Sequence, residues 1–120
     1  MGKKTLVIGA SENPERYANK AVKSLQASGH PVHALGRKSG NIGPTSIVTE
    51  KKIIENLDTV SLYLAPQNQE EYLPYILELN PKRVIFNPGT ENPELYSALA
   101  DEGIEVEQAC TLVLLATDQY

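Results

Sequence analysis

The sequence predicts an α/β domain: a parallel sheet of about five strands sandwiched between two layers of helices. Three observations predict it. Short β-branched or apolar runs alternate with amphipathic stretches of helical period along most of the chain. The strand runs Leu6-Val7-Ile8, Val32-His33-Ala34-Leu35, Thr59 to Ala65, Arg83 to Phe86 and Ile104 to Gln108 each end in small, polar or proline-bearing turns. Glycine, asparagine and proline punctuate the chain where helices should stop. The 120 residues suffice for one domain spanning 1–120.

The first strand stops at Gly9-Ala10-Ser11, and polar residues follow, with Asn13, Pro14 and Arg16. Small residues permit a sharp turn and close approach of a ligand to the main chain. A helix predicted over Ala18 to Ser28 carries Ala18, Ala21, Val22 and Leu25 as one apolar stripe, and Gly29 ends it. Strand, tight loop and helix N-terminus together suit a phosphate. A full Gly-x-Gly-x-x-Gly fingerprint would place glycines where Ser11 and Pro14 stand, so an ordinary NAD site is disfavoured. The alternative is a plain strand-to-helix turn.

The second strand ends at Gly36-Arg37-Lys38. An NAD domain has an acidic residue there for the ribose hydroxyls. Two bases suit a phosphorylated ribose instead, as in NADP or coenzyme A, unless they simply form a solvated turn. Ser39 to Pro44 reads as a loop, Ser46 to Val48 as a short edge segment, and Glu50 to Glu55 as a weak helix. The third main strand runs into Ala65-Pro66, and Asn68 with Glu71 forms a capping-box-like start to a helix reaching Leu79, stopped by Asn80-Pro81. After the fourth strand comes Asn87-Pro88-Gly89-Thr90-Glu91-Asn92-Pro93, with Asn92 as N-cap and Pro93 at the first helical position. That helix runs to Glu102. Cys110 follows the fifth strand, and Thr111 to Ala116 packs back as a short helix or terminal segment.

Composition excludes several classes. Charge is −4, from 11 basic and 15 acidic residues, against the basic surplus of a nucleic-acid binder. No apolar run reaches the roughly 18–20 residues of a membrane span. Met1-Gly2-Lys3-Lys4 leads into the first strand without the pattern of a signal peptide, and the one cysteine fits a reducing cytoplasm. Two histidines and one cysteine lack zinc-ligand spacing. His30 and His33 read as a turn and a strand residue.

Val7-Ile8-Gly9-Ala10-Ser11 followed by Asn13-Pro14 and Arg16 resembles the opening of the small stand-alone CoA-binding domain family. Its members are Rossmann-like and related to the CoA-binding domain of the succinyl-CoA synthetase alpha subunit. The resemblance covers essentially the whole chain. Ala65-Pro66 matches the family's proline-bearing turn, Asn87-Pro88-Gly89-Thr90 stands where many members carry a Gln-Gly-containing turn, and Cys110 matches a cysteine near the C-terminus. The resemblance implies coenzyme A or an acyl-CoA as ligand. Its diphosphate would lie on the N–H groups of Ala10 and Ser11, next to Gly9, Asn13 and Pro14, with the Ser11 hydroxyl and Arg16 assisting. Lys20 reads as solvated. Gly36, Arg37 and Lys38 would face the 3′-phosphoadenosine, and Ala65 and Pro66 would form an apolar wall. The pantetheine would pass Asn87, Pro88, Gly89, Thr90 and Asn92 along backbone polar groups. Cys110 reads as a packed thiol or as a partner in a mixed disulfide with the pantetheine thiol.

No base is placed beside Cys110, so the expected role is binding without catalysis. An NADP-binding oxidoreductase-like domain and the CoA-binding subunit of an acyl-CoA ligase assembly are the alternatives, with a homodimer or a ligase subunit as macromolecular partner.

Overall fold

The computed structural model describes residues 2–120; Met1, part of the leading stretch read above, lies outside them. The chain forms β1 (Thr5–Ile8), α1 (Tyr17–Ala27), β2 (Val32–Leu35), β3 (Gly40–Ile42), β4 (Thr45–Val48), β5 (Thr59–Leu62), α2 (Leu73–Leu79), β6 (Arg83–Phe86), α3 (Pro93–Asp101), β7 (Glu105–Gln108) and α4 (Thr111–Ala116). The sheet has seven strands in the order β3-β4-β2-β1-β5-β6-β7. Every neighbouring pair is parallel except β3 with β4. It is a Rossmann-like three-layer α/β fold. Order reverses on either side of β1, which puts a crevice beyond the carboxyl end of that strand.

The central strands read as unbroken apolar runs because both their faces are covered. Leu6, Val7 and Ile8 are at most 1% exposed. Val7, Ala18, Val22, Leu25 and Ala34 form one core under α1, and α4 packs against α1. Leu6, Ile8, Val60, Leu62, Ile76, Phe86 and Leu99 form the other, under α2 and α3. The stripe Ala18, Ala21, Val22 and Leu25 is buried throughout. Burying a side chain the size of Val22 or Leu25 contributes about 1.5–3 kcal/mol.

Three local expectations are corrected. The sheet is wider than five strands, because residues read as loop and edge fold as the β3–β4 hairpin. Its two-residue turn is Gly43-Pro44, and Ile42 and Ile47 are buried beneath it. The helix expected over Glu50 to Glu55 does not form. Extended, the segment lets Ile54 reach the core and the Lys52 carbonyl accept from the Tyr75 hydroxyl. The capping box at Asn68 is absent. Pro66–Asn68 and Glu70–Tyr72 are separate 3₁₀ turns without side-chain caps, and α2 starts only at Leu73. Pro74 explains this: its missing N–H and its ring are tolerated in a first turn but not inside a continuous helix. By contrast, Asn92 caps α3 as expected, its Oδ1 accepting from Leu95 N–H, and Asn80 closes α2 in the left-handed region.

Candidate functional site

At the end of β1 the chain turns at Gly9. The N–H groups of Gly9 and Ala10 both donate to the Leu35 carbonyl at 2.9 and 3.0 Å. That corrects one expected donor: the Ala10 N–H is held inside the fold by the end of β2. Beyond it the loop braces itself. Asn13 N–H donates to Ser11 Oγ, Glu15 N–H to Asn13 Oδ1, Arg16 N–H to the Asn13 carbonyl, and the Asn19 amide to the Ser11 carbonyl. The N–H groups of Ser11 and Glu12 find no protein acceptor among the described residues, nor do those of Tyr17, Ala18 and Asn19 in the first turn of α1. Arg16 is the N-cap and supplies no side-chain acceptor. The helix therefore presents uncapped donors, with its dipole favouring an anion.

These atoms border a groove of about 460 Å³ lined by Gly9, Ala10, Ser11, Glu12, Asn13, Arg16, Arg37, Lys38, Ser39, Tyr63, Leu64, Ala65 and Asn68. Three of the lining residues are cationic and one is anionic. None of the three cations forms an ion pair among the described residues. Concave walls with unneutralised positive charge concentrate the field on an anion. Gly36 lies just behind. A Cβ there would come within 2.4 Å of the Ala10 carbonyl oxygen, so the glycine lets the two strand ends meet.

The expected site residues divide here. Gly9, Ala10, Ser11, Asn13, Arg16, Arg37, Lys38 and Ala65 line one groove. Pro14, Gly36, Pro66, Asn87, Pro88, Gly89, Thr90, Asn92 and Cys110 are not among its walls. Asn87 is fully buried and its amide is fully used. Nδ2 donates to Ser61 Oγ and the Leu62 carbonyl, and Oδ1 accepts from Thr111 N–H at 2.8 Å. Thr90 Oγ1 donates to the Asn87 carbonyl. Asn92 Nδ2 donates to Gln69 Oε1, while Gln69 Nε2 donates to the Leu64 and Thr90 carbonyls. Pro88, Gly89 and Glu91 remain on the surface. Cys110 is half-buried and precedes α4.

Ser39, Tyr63 and Leu64 join the groove unannounced, and Glu12 and Asn68 join it from loops already singled out. Tyr63 and Leu64 read in the sequence as strand interior, but β5 ends at Leu62 and they fall at its rim. The Tyr63 hydroxyl is buried with no hydrogen-bond partner. Burial pushes its pKa up to about 12; the nearby Thr111 and Ser61 hydroxyls act the other way but bond each other at 2.8 Å. His30 and His33 lie away from the groove. His30 Nδ1 accepts from Lys3 N–H, and burial followed by the Lys3 charge holds its pKa below the usual value. Burial and Lys4 do the same for His33. His33 borders a separate hollow of about 370 Å³ over β2 and β4, walled mainly by apolar side chains.

A family model described as CoA binding domain matches residues 3–116. The chain belongs to this family. A crystal structure of an uncharacterized protein matches 100% of this chain and 99% of that one, at 48% identity and a TM-score of 0.97. Cell-free ID.343 from Thermus thermophilus matches at 24% identity and a TM-score of 0.87, over 99% of this chain and 91% of that one. The dinucleotide forming acetyl-coenzyme A synthetase 1 of Ca. Korarchaeum cryptofilum, solved with phosphate and ADP, matches at 12% identity and a TM-score of 0.74. That match covers 90% of this chain and 26% of the synthetase. The last two likenesses speak to the fold alone. No curated protein matches the chain. No helix among the described residues is long and apolar enough to cross a membrane.

Proposed function

We propose that the groove binds coenzyme A or an acyl-CoA without catalysis, through the diphosphate and the 3′-phosphoadenosine. The observation that carries this reading is the meeting of unpartnered main-chain donors with three unpaired cations in one hollow. The N–H groups of Ser11 and Glu12 and the first turn of α1 are the donors for the diphosphate. The Ser11 hydroxyl, which only accepts within the protein, keeps its own proton to donate. Arg16 adds charge from the helix side. Arg37 and Lys38 would meet the phosphorylated ribose. Leu64, Ala65 and Pro66 offer an apolar flank, from which the pantetheine arm would run along Pro88 and Gly89 towards Cys110. Membership of the CoA binding domain family supports the choice of ligand.

Calorimetric titration with coenzyme A, 3′-dephospho-coenzyme A, NADP and NAD tests the reading. Coenzyme A should bind tightest, and loss of the 3′-phosphate should weaken binding about tenfold or more, the scale of a charge-assisted contact. NAD should give the weakest heat. Tighter binding of NADP than of coenzyme A, or no heat with coenzyme A, overturns the proposal.

A further inference from the structure

The groove has two walls from distant parts of the chain, the Ser11–Arg16 loop and the Arg37–Ser39 turn. At its floor they are joined where Gly9 and Ala10 meet the Leu35 carbonyl. At its rim Glu12 reaches across to β3. Its Oε2 accepts from Asn41 N–H at 2.9 Å. Its stem lies directly on Gly40, where a Cβ would stand 2.3 Å from Glu12 Cδ and 2.5 Å from Cγ. No cation lies within ion-pair distance of the carboxylate. β3 is the outer strand of its sheet edge, so the Asn41 N–H is a donor the sheet leaves unpaired.

A carboxylate on the wall of an anion site repels the ligand. Coulomb's law alone argues against an acid here. A glycine that leaves room for it and an edge N–H that holds it give it another task.

We infer that Glu12 is a positioning residue for this groove: by clamping its loop onto Gly40 and Asn41, it fixes the spacing between the diphosphate donors and the Arg37–Lys38 turn. Gly40 is its socket. The inference rests on the anion-binding reading above, but its geometry can be tested apart from it.

The tether and the charge predict opposite signs. Glu12→Gln keeps an oxygen acceptor for Asn41 N–H and removes the charge, so coenzyme A should bind as well as to the wild type or about twofold tighter. Glu12→Ala removes both, and binding should weaken about fivefold, the scale of an ordinary lost hydrogen bond. Gly40→Ala should weaken it similarly, since the new Cβ displaces the Glu12 stem. In the Glu12→Ala background the same Gly40→Ala change should add nothing, because the socket is already empty; this non-additivity is the sign of direct coupling. Hydrogen exchange gives a second readout: Asn41 N–H should exchange faster in Glu12→Ala and Gly40→Ala, and at the wild-type rate in Glu12→Gln. Tighter binding by Glu12→Ala than by the wild type, or independent effects at the two positions, overturns the inference. If the wild type binds no coenzyme A, the functional reading falls. The tether then stands or falls on Asn41 exchange alone.

Discussion

Two loops leave the carboxyl ends of parallel strands and enter helices, and in the sequence they look alike. Gly9 to Arg16 follows β1, and Asn87 to Asn92 follows β6. Each has a glycine with positive φ, +95° at Gly9 and +91° at Gly89. Each has asparagine, proline and a hydroxyl. The first leaves the N–H groups of Ser11 and Glu12 without an acceptor among the described residues, adjoins three more in the first turn of α1, and faces a cationic groove. The second turns its polar groups inward, into a buried network of Asn87, Ser61, Thr111, Thr90 and Gln69. The difference teaches that turn chemistry alone does not make a binding loop. What matters is where the free donors lie: those of Ser11 and Glu12 border the cationic groove, and those of Glu91 and Asn92 do not.

Removing the inward network should produce the largest effect. Asn87→Ala deletes two donated bonds and one accepted bond at a site with no exposure. The Leu62 carbonyl and Thr111 N–H would be left buried without partners. A loss of about 3 kcal/mol is expected, read as a fall in the urea midpoint with an unchanged slope. A loss below about 1 kcal/mol would mean that the network does not hold this loop.

The two glycines sharpen the contrast. Alanine at either position is strained by its φ, at about 1–2 kcal/mol for a residue forced into left-handed space. At Gly89 nothing lies within 4 Å of the added Cβ. At Gly9 it would meet the Tyr63 carbonyl carbon and oxygen at 3.1 Å. Gly9→Ala should therefore cost about 2 kcal/mol or more, and Gly89→Ala about 1 kcal/mol. Equal costs by chemical denaturation would show that the β1 turn relaxes away from Tyr63.

Charge separates the loops next. Arg37→Ala should leave stability within about 0.5 kcal/mol but weaken coenzyme A about tenfold, or about 1.4 kcal/mol. It should also flatten the salt dependence of binding. Glu91→Ala, which removes only the acceptor of Gly89 N–H on the outer surface, should change affinity less than twofold. Equal effects of the two changes on affinity would erase the distinction drawn between the loops.

Much of this architecture was legible. The α1 stripe, the Asn92 cap and the parallel alternation follow from periodicity and capping alone, because each is decided within a few residues. The chain from Gly9 to Arg16 could be singled out from local chemistry too. What escaped depends on partners far away in sequence. That Ala10 N–H is occupied depends on the Leu35 carbonyl. The inward turn of Asn87 depends on Thr111, and the role of Glu12 on Asn41. The β3–β4 hairpin was hidden because Gly40-Asn41-Ile42 carries no strand alternation of useful length. Pro74 was legible in principle: its place argues against an unbroken helix from Asn68.

Tyr63 stands behind the first loop, and its effect should be the smallest at neutral pH. Its backbone packs against Gly9, it lines the groove, and its hydroxyl lies near Ser61 and Thr111 without bonding either. Tyr63→Phe removes a buried donor that has no acceptor. Stability near pH 7 should stay level or rise by up to about 1 kcal/mol. The alkaline limb should differ in a definite direction. Burial raises the phenol to about 12 in the folded chain, against about 10 when unfolded. Between these values the folded state holds a proton that the unfolded state has released. The phenol's contribution is therefore intact below about pH 10 and is lost as pH climbs through about 12. Urea midpoints of the wild type should fall more steeply than those of Tyr63→Phe between pH 9 and 11. Parallel curves would mean that the phenol reaches solvent in the folded chain.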